Sequence, residues 1–193
     1  MSFGSLQYSA HAMPIPTVLV ILADGFEEIE AVTPIDLLRR AGAKVTLAYL
    51  GEGPTVTGRS GLSLVAEVPL DAVGTSAFDC VLVPGGPGVT LLRADPRVAA
   101  LLRLQAARGG WIGAICAAPL VLKDAGLLQG RRFTAHPSVV KELPDALGGE
   151  RTVVDGKLFT SRGAGTALDF GLLAVENLFG RDAAASIAKS ICS

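Results

Sequence analysis

From Thr17 onward the chain alternates short apolar runs with amphipathic segments, and the first run, Val18-Leu19-Val20-Ile21-Leu22-Ala23, is apolar at every position. A strand with one face in water would alternate, so unbroken apolarity predicts a central strand covered on both sides. Asp24-Gly25 ends it. From Phe26 to Arg40 the apolar positions, among them Ile29, Val32 and Leu37, fall at helical spacing. Glu27 and Glu28 lie in the first turn and Arg39 and Arg40 in the last, where charges of those signs complement the helix dipole. Gly42 stops this helix, and Lys44 to Leu50 reads as a second strand, giving one right-handed strand-helix-strand crossover.

The alternating, glycine-containing stretch Thr55 to Val68 predicts a small hairpin or edge excursion. Phe78 to Pro84 reads as another buried strand, followed by Gly85-Gly86-Pro87-Gly88 and a helix from about Asp95 to Arg108. Trp111 to Ile115 is the next strand, Ala117 to Ala125 begins a helix, and His136 follows a short strand. Thr152-Val153-Val154 and Leu158 to Ser161, around Asp155-Gly156, read as a hairpin. Two helices, about Gly165 to Phe179 and Asp182 to Ile191, close the chain. No linker or repeat interrupts the pattern, so residues 17–193 read as one domain and residues 1–16 as a flexible extension without the charged start and apolar centre of a secretory signal. The alternation predicts an α/β sandwich with a mostly parallel central sheet, whose ligands bind beyond the carboxyl ends of the strands.

Composition narrows the function classes. Of 193 residues half are hydrophobic and 18% charged, which excludes disorder over most of the length. With 17 basic and 18 acidic residues the net charge of −1 gives no footprint for a nucleic-acid backbone or an anionic membrane, and no apolar run approaches a bilayer span. Three cysteines, Cys80, Cys116 and Cys192, at unrelated spacings fit neither a disulfide framework nor a zinc ribbon and suit a reducing cytoplasm. Two histidines, His11 and His136, are too few for a multi-histidine metal centre. The loop Pro84 to Gly88 lacks the spacing of a dinucleotide or P-loop motif, so no cofactor is expected.

Candidate chemistry falls at three predicted strand ends. Cys116 lies where an apolar strand turns into a helix among small residues, Gly113-Ala114-Ile115-Cys116-Ala117-Ala118-Pro119. Such an elbow exposes a nucleophile, and backbone N–H groups at the helix start are expected to lower the thiol pKa. Cys80, mid-strand, reads as core and Cys192 as an incidental exposed thiol. Gly85-Gly86 supplies bare N–H groups of the kind an oxyanion hole needs. In Asp24-Gly25-Phe26-Glu27-Glu28-Ile29-Glu30, Glu27 and Glu28 suit the helix dipole, whereas Glu30, pointing with Ile29 or Thr33 towards the carboxyl edge of the sheet, is a candidate partner of the thiol with a raised pKa. His136 is the one plausible histidine base outside the N-terminal extension.

Taken in order, Leu22 to Glu30, Arg39-Arg40-Ala41-Gly42, Val83-Pro84-Gly85-Gly86, Ala114 to Pro119, Thr134-Ala135-His136-Pro137 and Thr160-Ser161-Arg162-Gly163 resemble the ThiJ/PfpI superfamily, and specifically its DJ-one branch. The resemblance runs from about Thr17 to Ile191. It implies a flavodoxin-like three-layer sandwich, a homodimer formed partly through the first helix, Cys116 as the reactive cysteine, and Glu30 hydrogen-bonded to it. It also implies Gly86 and Ala117 as backbone donors around the sulfur, and His136 as the nearby histidine. The protease-like branch carries a histidine directly after its cysteine; here that position is Ala117, which argues against a peptidase. Between Thr55 and Leu64, where some relatives carry further cysteines and an arginine, this chain has no cysteine and Arg59 is not in clear register. The resemblance implies cofactor-free, glutathione-independent glyoxalase or deglycase chemistry on methylglyoxal, glyoxal or early glycation adducts of proteins and nucleotides. The alternative is a redox-sensing or chaperone-like stress protein whose cysteine oxidises to sulfinate.

Overall fold

The computed structural model describes residues 14–193; the greater part of the expected N-terminal extension lies outside the described residues. Strand β1 (Thr17–Ala23) is buried along nearly its whole length, as its unbroken apolar run requires. Because successive side chains point to opposite faces, Leu19, Ile21 and Ala23 enter one core layer and Val18, Val20 and Leu22 the other. Around β1 stand β2 (Lys44–Leu50), β5 (Val68–Pro69), β6 (Cys80–Val83), β7 (Trp111–Ile115), β8 (Thr152–Asp155) and β9 (Leu158–Ser161), with β3 (Thr55–Thr57) and β4 (Ser63–Val65) paired apart as a hairpin. The seven-stranded sheet runs β5-β2-β1-β6-β7-β9-β8 and is parallel except for the β8–β9 pair. This is the α/β sandwich that the sequence predicts.

Helices cover both faces. The chain order supplies α1 (Glu28–Arg40), α2 (Leu70–Val73), α3 (Val89–Ala94), α4 (Pro96–Ala107), α5 (Pro119–Asp124), α6 (Ala167–Phe179) and α7 (Arg181–Ser190). The layer of Val18 and Val20 contains Leu38 of α1, Phe170 of α6 and Ala184 of α7; the opposite layer contains Leu92 of α3, Leu102 of α4 and Leu122 of α5. Gly171 lets α6 approach α1, because a Cβ there would lie 2.6 Å from Leu37 Cδ1 and 3.1 Å from Pro34 Cα. Strand order reverses between β1 and β6, so their carboxyl ends open a crevice where an α/β sheet binds ligands.

Several local expectations are corrected. The first helix begins at Glu28, not Phe26, with Glu27 as its N-cap, accepting the Glu30 N–H at 2.8 Å. Its buried face is Ala31, Pro34, Ile35, Leu37 and Leu38, whereas Ile29 and Val32 stand 54% and 43% exposed. Glu28, expected only to complement the helix dipole, is buried and accepts the Ser60 N–H at 2.6 Å, tying the β3–β4 loop to the helix. The Asp95–Arg108 segment is α4 with Asp95 as N-cap, preceded by the unanticipated short helices α2 and α3. The segment ahead of His136 is not a strand: Thr134 bonds to the Thr160 hydroxyl and the Leu147 carbonyl instead of to a neighbouring strand.

Candidate active site

Cys116 follows β7 with φ 65°, a left-handed conformation costly for any residue with a Cβ. Two hydrogen bonds hold it there: the Cys116 N–H donates to the Ser161 carbonyl at 2.9 Å, and the Cys116 carbonyl accepts the His136 N–H at 2.8 Å. The turn thus half-buries the side chain at the carboxyl edge of the sheet. Backbone N–H groups of Gly86 and Ala117 donate to its sulfur. Gly86 reaches this position because it adopts φ 93° and because a Cβ there would lie 2.5 Å from the Gly25 carbonyl oxygen.

Glu30, in the first turn of α1 and 1% exposed, brings its carboxyl across the crevice to hydrogen-bond the Cys116 thiol. Its Oε2 also accepts the Gly85 N–H at 2.9 Å. Gly85 fills the gap between the two groups: a Cβ on it would lie 2.6 Å from Glu30 Oε2 and 2.7 Å from Cys116 Cβ. Burial pushes the Glu30 carboxyl up from its ordinary value to about 7, with the neighbouring Glu27 adding to the effect. Its partner moves the same way. Burial, together with the Glu30 charge, pushes the Cys116 thiol up to about 12 against the downward pull of the Ala117 and Gly86 N–H groups. The expected lowering of the thiol pKa is therefore corrected. Two acids in contact in a dry setting cannot both ionise readily, so the pair retains one proton over a wide pH range.

His136 stands exposed at the rim, with its Cδ2 edge beside Gly163, where a Cβ would lie 3.2 Å from His136 Cδ2 and 3.9 Å from Glu30 Oε1. Its Nδ1 faces Ser138, whose N–H lies at 3.2 Å and whose Oγ lies at 2.8 Å. The loop beneath is fixed by hydroxyls: Ser161 Oγ and Thr166 Oγ1 are 2.7 Å apart, and Thr166 Oγ1 accepts the Gly163 N–H at 3.1 Å. The structure brings Cys116, Glu30, Gly86 and Ala117 into direct contact and sets His136 at the edge. Cys80 is fully buried, where its pKa is driven well up by desolvation, and Cys192 is exposed. Sequence reasoning missed Ser138 and Thr166, named Ser161 only as part of a family landmark, and left Arg59 out of register, whereas its charge draws the Glu30 pKa down. The one local signal is Ser138 directly after Pro137, where a proline removes one donor and leaves the next N–H for the histidine to cap. Among the described residues no group of three or more His, Cys, Asp and Glu side chains is placed to hold a metal ion, and no helix is long and apolar enough to cross a membrane.

Comparison with known proteins agrees with this fold. A model of the DJ-1/PfpI family matches residues 16–177. The chain is 41% identical to Protein dj-1beta of Drosophila melanogaster, over 91% of this chain and 96% of that one. It is also 41% identical to Protein DJ-1 homolog B of Arabidopsis thaliana, over 91% of this chain but only 41% of that longer protein. A more distant relative, Glutathione-independent glyoxalase DJR-1.2 of Caenorhabditis elegans, is 34% identical over 91% of this chain and 95% of its own length. The crystal structure of Drosophila DJ-1beta matches with a TM-score of 0.89 at 39% identity, covering 92% of this chain and 98% of that one.

Proposed function

We propose, from the premise that this chain belongs to the DJ-1/PfpI family, that it is a cysteine-dependent, glutathione-independent glyoxalase acting on small dicarbonyls such as methylglyoxal and glyoxal, with early glycation adducts as further substrates. The observation that carries the reading is the buried Glu30 carboxyl hydrogen-bonded to a thiol on a strained elbow. A relative named as a glutathione-independent glyoxalase supports the substrate class.

The reactive form places the shared proton on Glu30 and the negative charge on Cys116 sulfur. The thiolate adds to the aldehyde carbon, the C=O electron pair moves to oxygen, and the Gly86 and Ala117 N–H groups stabilise that oxyanion. Glu30 delivers its proton to the oxygen, completing a hemithioacetal and becoming a carboxylate. The carboxylate then removes the hydrogen from the former aldehyde carbon, the electron pair passing to the neighbouring carbonyl to give an enediolate; the proton on the first oxygen moves to the second as Glu30 returns its proton to the adjacent carbon, leaving a hydroxyacyl thioester. Water cleaves the thioester, releasing lactate from methylglyoxal and restoring the thiol. No step requires a metal or an organic cofactor. Early glycation adducts of proteins or nucleotides would meet the same thiolate, beside which His136 stands exposed.

The proposal extends to assembly. Ile29 and Val32 on α1 and Leu62 in the loop bound by Glu28 expose apolar surface that a second copy would cover, which supports a homodimer formed partly through α1. Lactate production from methylglyoxal without glutathione tests the reading: the wild type is expected to turn over and Cys116→Ala to fall to background. Undiminished turnover in Cys116→Ala would overturn it. Selective conversion of Cys116 to sulfinate by low peroxide, without any dicarbonyl consumption, would instead indicate a redox sensor.

A further inference from the structure

We propose that Ser138 holds His136 as the Nε2–H tautomer, so that the imidazole donates a hydrogen bond to the oxyanion formed at Cys116 and does not serve as the general base; this rests on the glyoxalase reading above. His136 sits in extended conformation at the N-cap of the 3-10 turn Pro137–Val139. Pro137 has no N–H, so the first donor that the turn presents to the ring is the Ser138 N–H, which lies 3.2 Å from Nδ1. A backbone N–H can only donate. The nitrogen facing it must therefore offer a lone pair, which leaves the proton of the neutral ring on Nε2. In this tautomer the Ser138 hydroxyl, 2.8 Å from the same nitrogen, is a second donor available to it.

Ring geometry then sets the direction of the free proton. With Nδ1 turned to Ser138, the Cδ2 edge faces Gly163 and the Glu30 Oε1 side of the crevice, and Nε2 adjoins that edge. The Cys116 carbonyl accepts the His136 backbone N–H at 2.8 Å, which fixes the histidine relative to the elbow. In this state Nε2 has no lone pair with which to remove a proton from carbon. Proton transfer between the two carbons falls to Glu30, and His136 adds a third donor to those of Gly86 and Ala117 as the negative oxygen forms. No proton leaves the ring. Ser138 is a positioning residue, acting through His136 on the reacting atoms.

Two readouts test the proposal. In the full chain carrying His11→Gln, which leaves one imidazole, a long-range proton–nitrogen NMR spectrum of the neutral ring should show a pyridine-like Nδ1 and a pyrrole-like Nε2. Ser138→Ala removes the hydroxyl and keeps the backbone N–H, so it should move the Nδ1 resonance part of the way towards that of an unbonded nitrogen, and Ser138→Thr should restore it. A predominantly Nδ1–H ring, or an Nδ1 signal indifferent to Ser138→Ala, overturns the proposal. Kinetically, the amide of His136→Gln places a donor near the Nε2 position but cannot act as a base. It should retain kcat within about threefold, whereas His136→Ala should lose at least about tenfold, in line with loss of one oxyanion donor. Equal losses in the two variants, with Cys116 still required, would sink the donor assignment alone; turnover that survives Cys116→Ala would sink the glyoxalase reading itself.

Discussion

At the scale of single residues, the site works through a conflict between burial and charge. Glu30 lies in a pocket that disfavours its carboxylate, and the group that relieves the conflict most is another acid, Cys116, ahead of the Gly85 N–H. This conflict has a measurable cost. Burial raises the Glu30 pKa in the folded chain from 4.5 to about 7, so between those values the folded state holds a proton that the unfolded state has released. Stability from this group is therefore fully present below about 4.5 and is lost as pH rises through 7, by about 3 kcal/mol in all. Glu30→Gln, which cannot ionise and still accepts the Gly85 N–H, should remove most of that pH dependence. Urea unfolding at pH values on both sides of 7 checks it; a wild type that gains stability across the same interval would contradict the assignment.

At the scale of elements, placement of the site depends on how closely α1 lies against α6. Gly171 permits that approach, and Gly171→Val would drive its side chain into Leu37 and the backbone of Pro34. The expected result is a loss of about 1–3 kcal/mol in stability, measured by chemical denaturation, with weakened turnover because α1 carries Glu30. Unchanged stability would show that the helix pair has slack there. The same elements show what local sequence can reveal. The run Val18 to Ala23 specified a buried strand because no polar residue competes in it, and the small residues around Cys116 marked the elbow. Ile29 and Glu28 were inverted because helical spacing defines a face without saying which neighbour it meets: Glu28 pairs with Ser60, 32 positions away. The thiol pKa is not legible in the sequence for a related reason, since nearby N–H groups count there while desolvation and the charge contributed by α1 do not. The segment before His136 looked like a strand, but its hydrogen bonds go to Thr160 Oγ1 and to loop carbonyls, which periodicity does not register.

At the scale of the whole molecule, a parallel sheet whose order reverses beside β1 gathers three distant loops at one edge. The Glu30 helix, the Gly85-Gly86 turn and the Cys116 elbow meet because β1, β6 and β7 are adjacent. The exposed apolar residues of α1 and the β3–β4 loop extend the argument to assembly. Val32→Asp, which puts a charge on the proposed shared face, should convert a dimer to a monomer in sedimentation equilibrium; a wild type that sediments as a monomer would contradict the dimer. The central claim is that Cys116 and Glu30 share one proton, and the rate at which iodoacetamide modifies Cys116 tests it most directly. Across pH from about 5 to about 9, the wild-type rate should rise through an inflection near 7 and then level off, because loss of one proton from the pair already yields a fixed fraction of thiolate. Glu30→Gln should lack that inflection. A wild-type rate that climbs about tenfold per pH unit without levelling, as an isolated thiol near 12 would, contradicts the account.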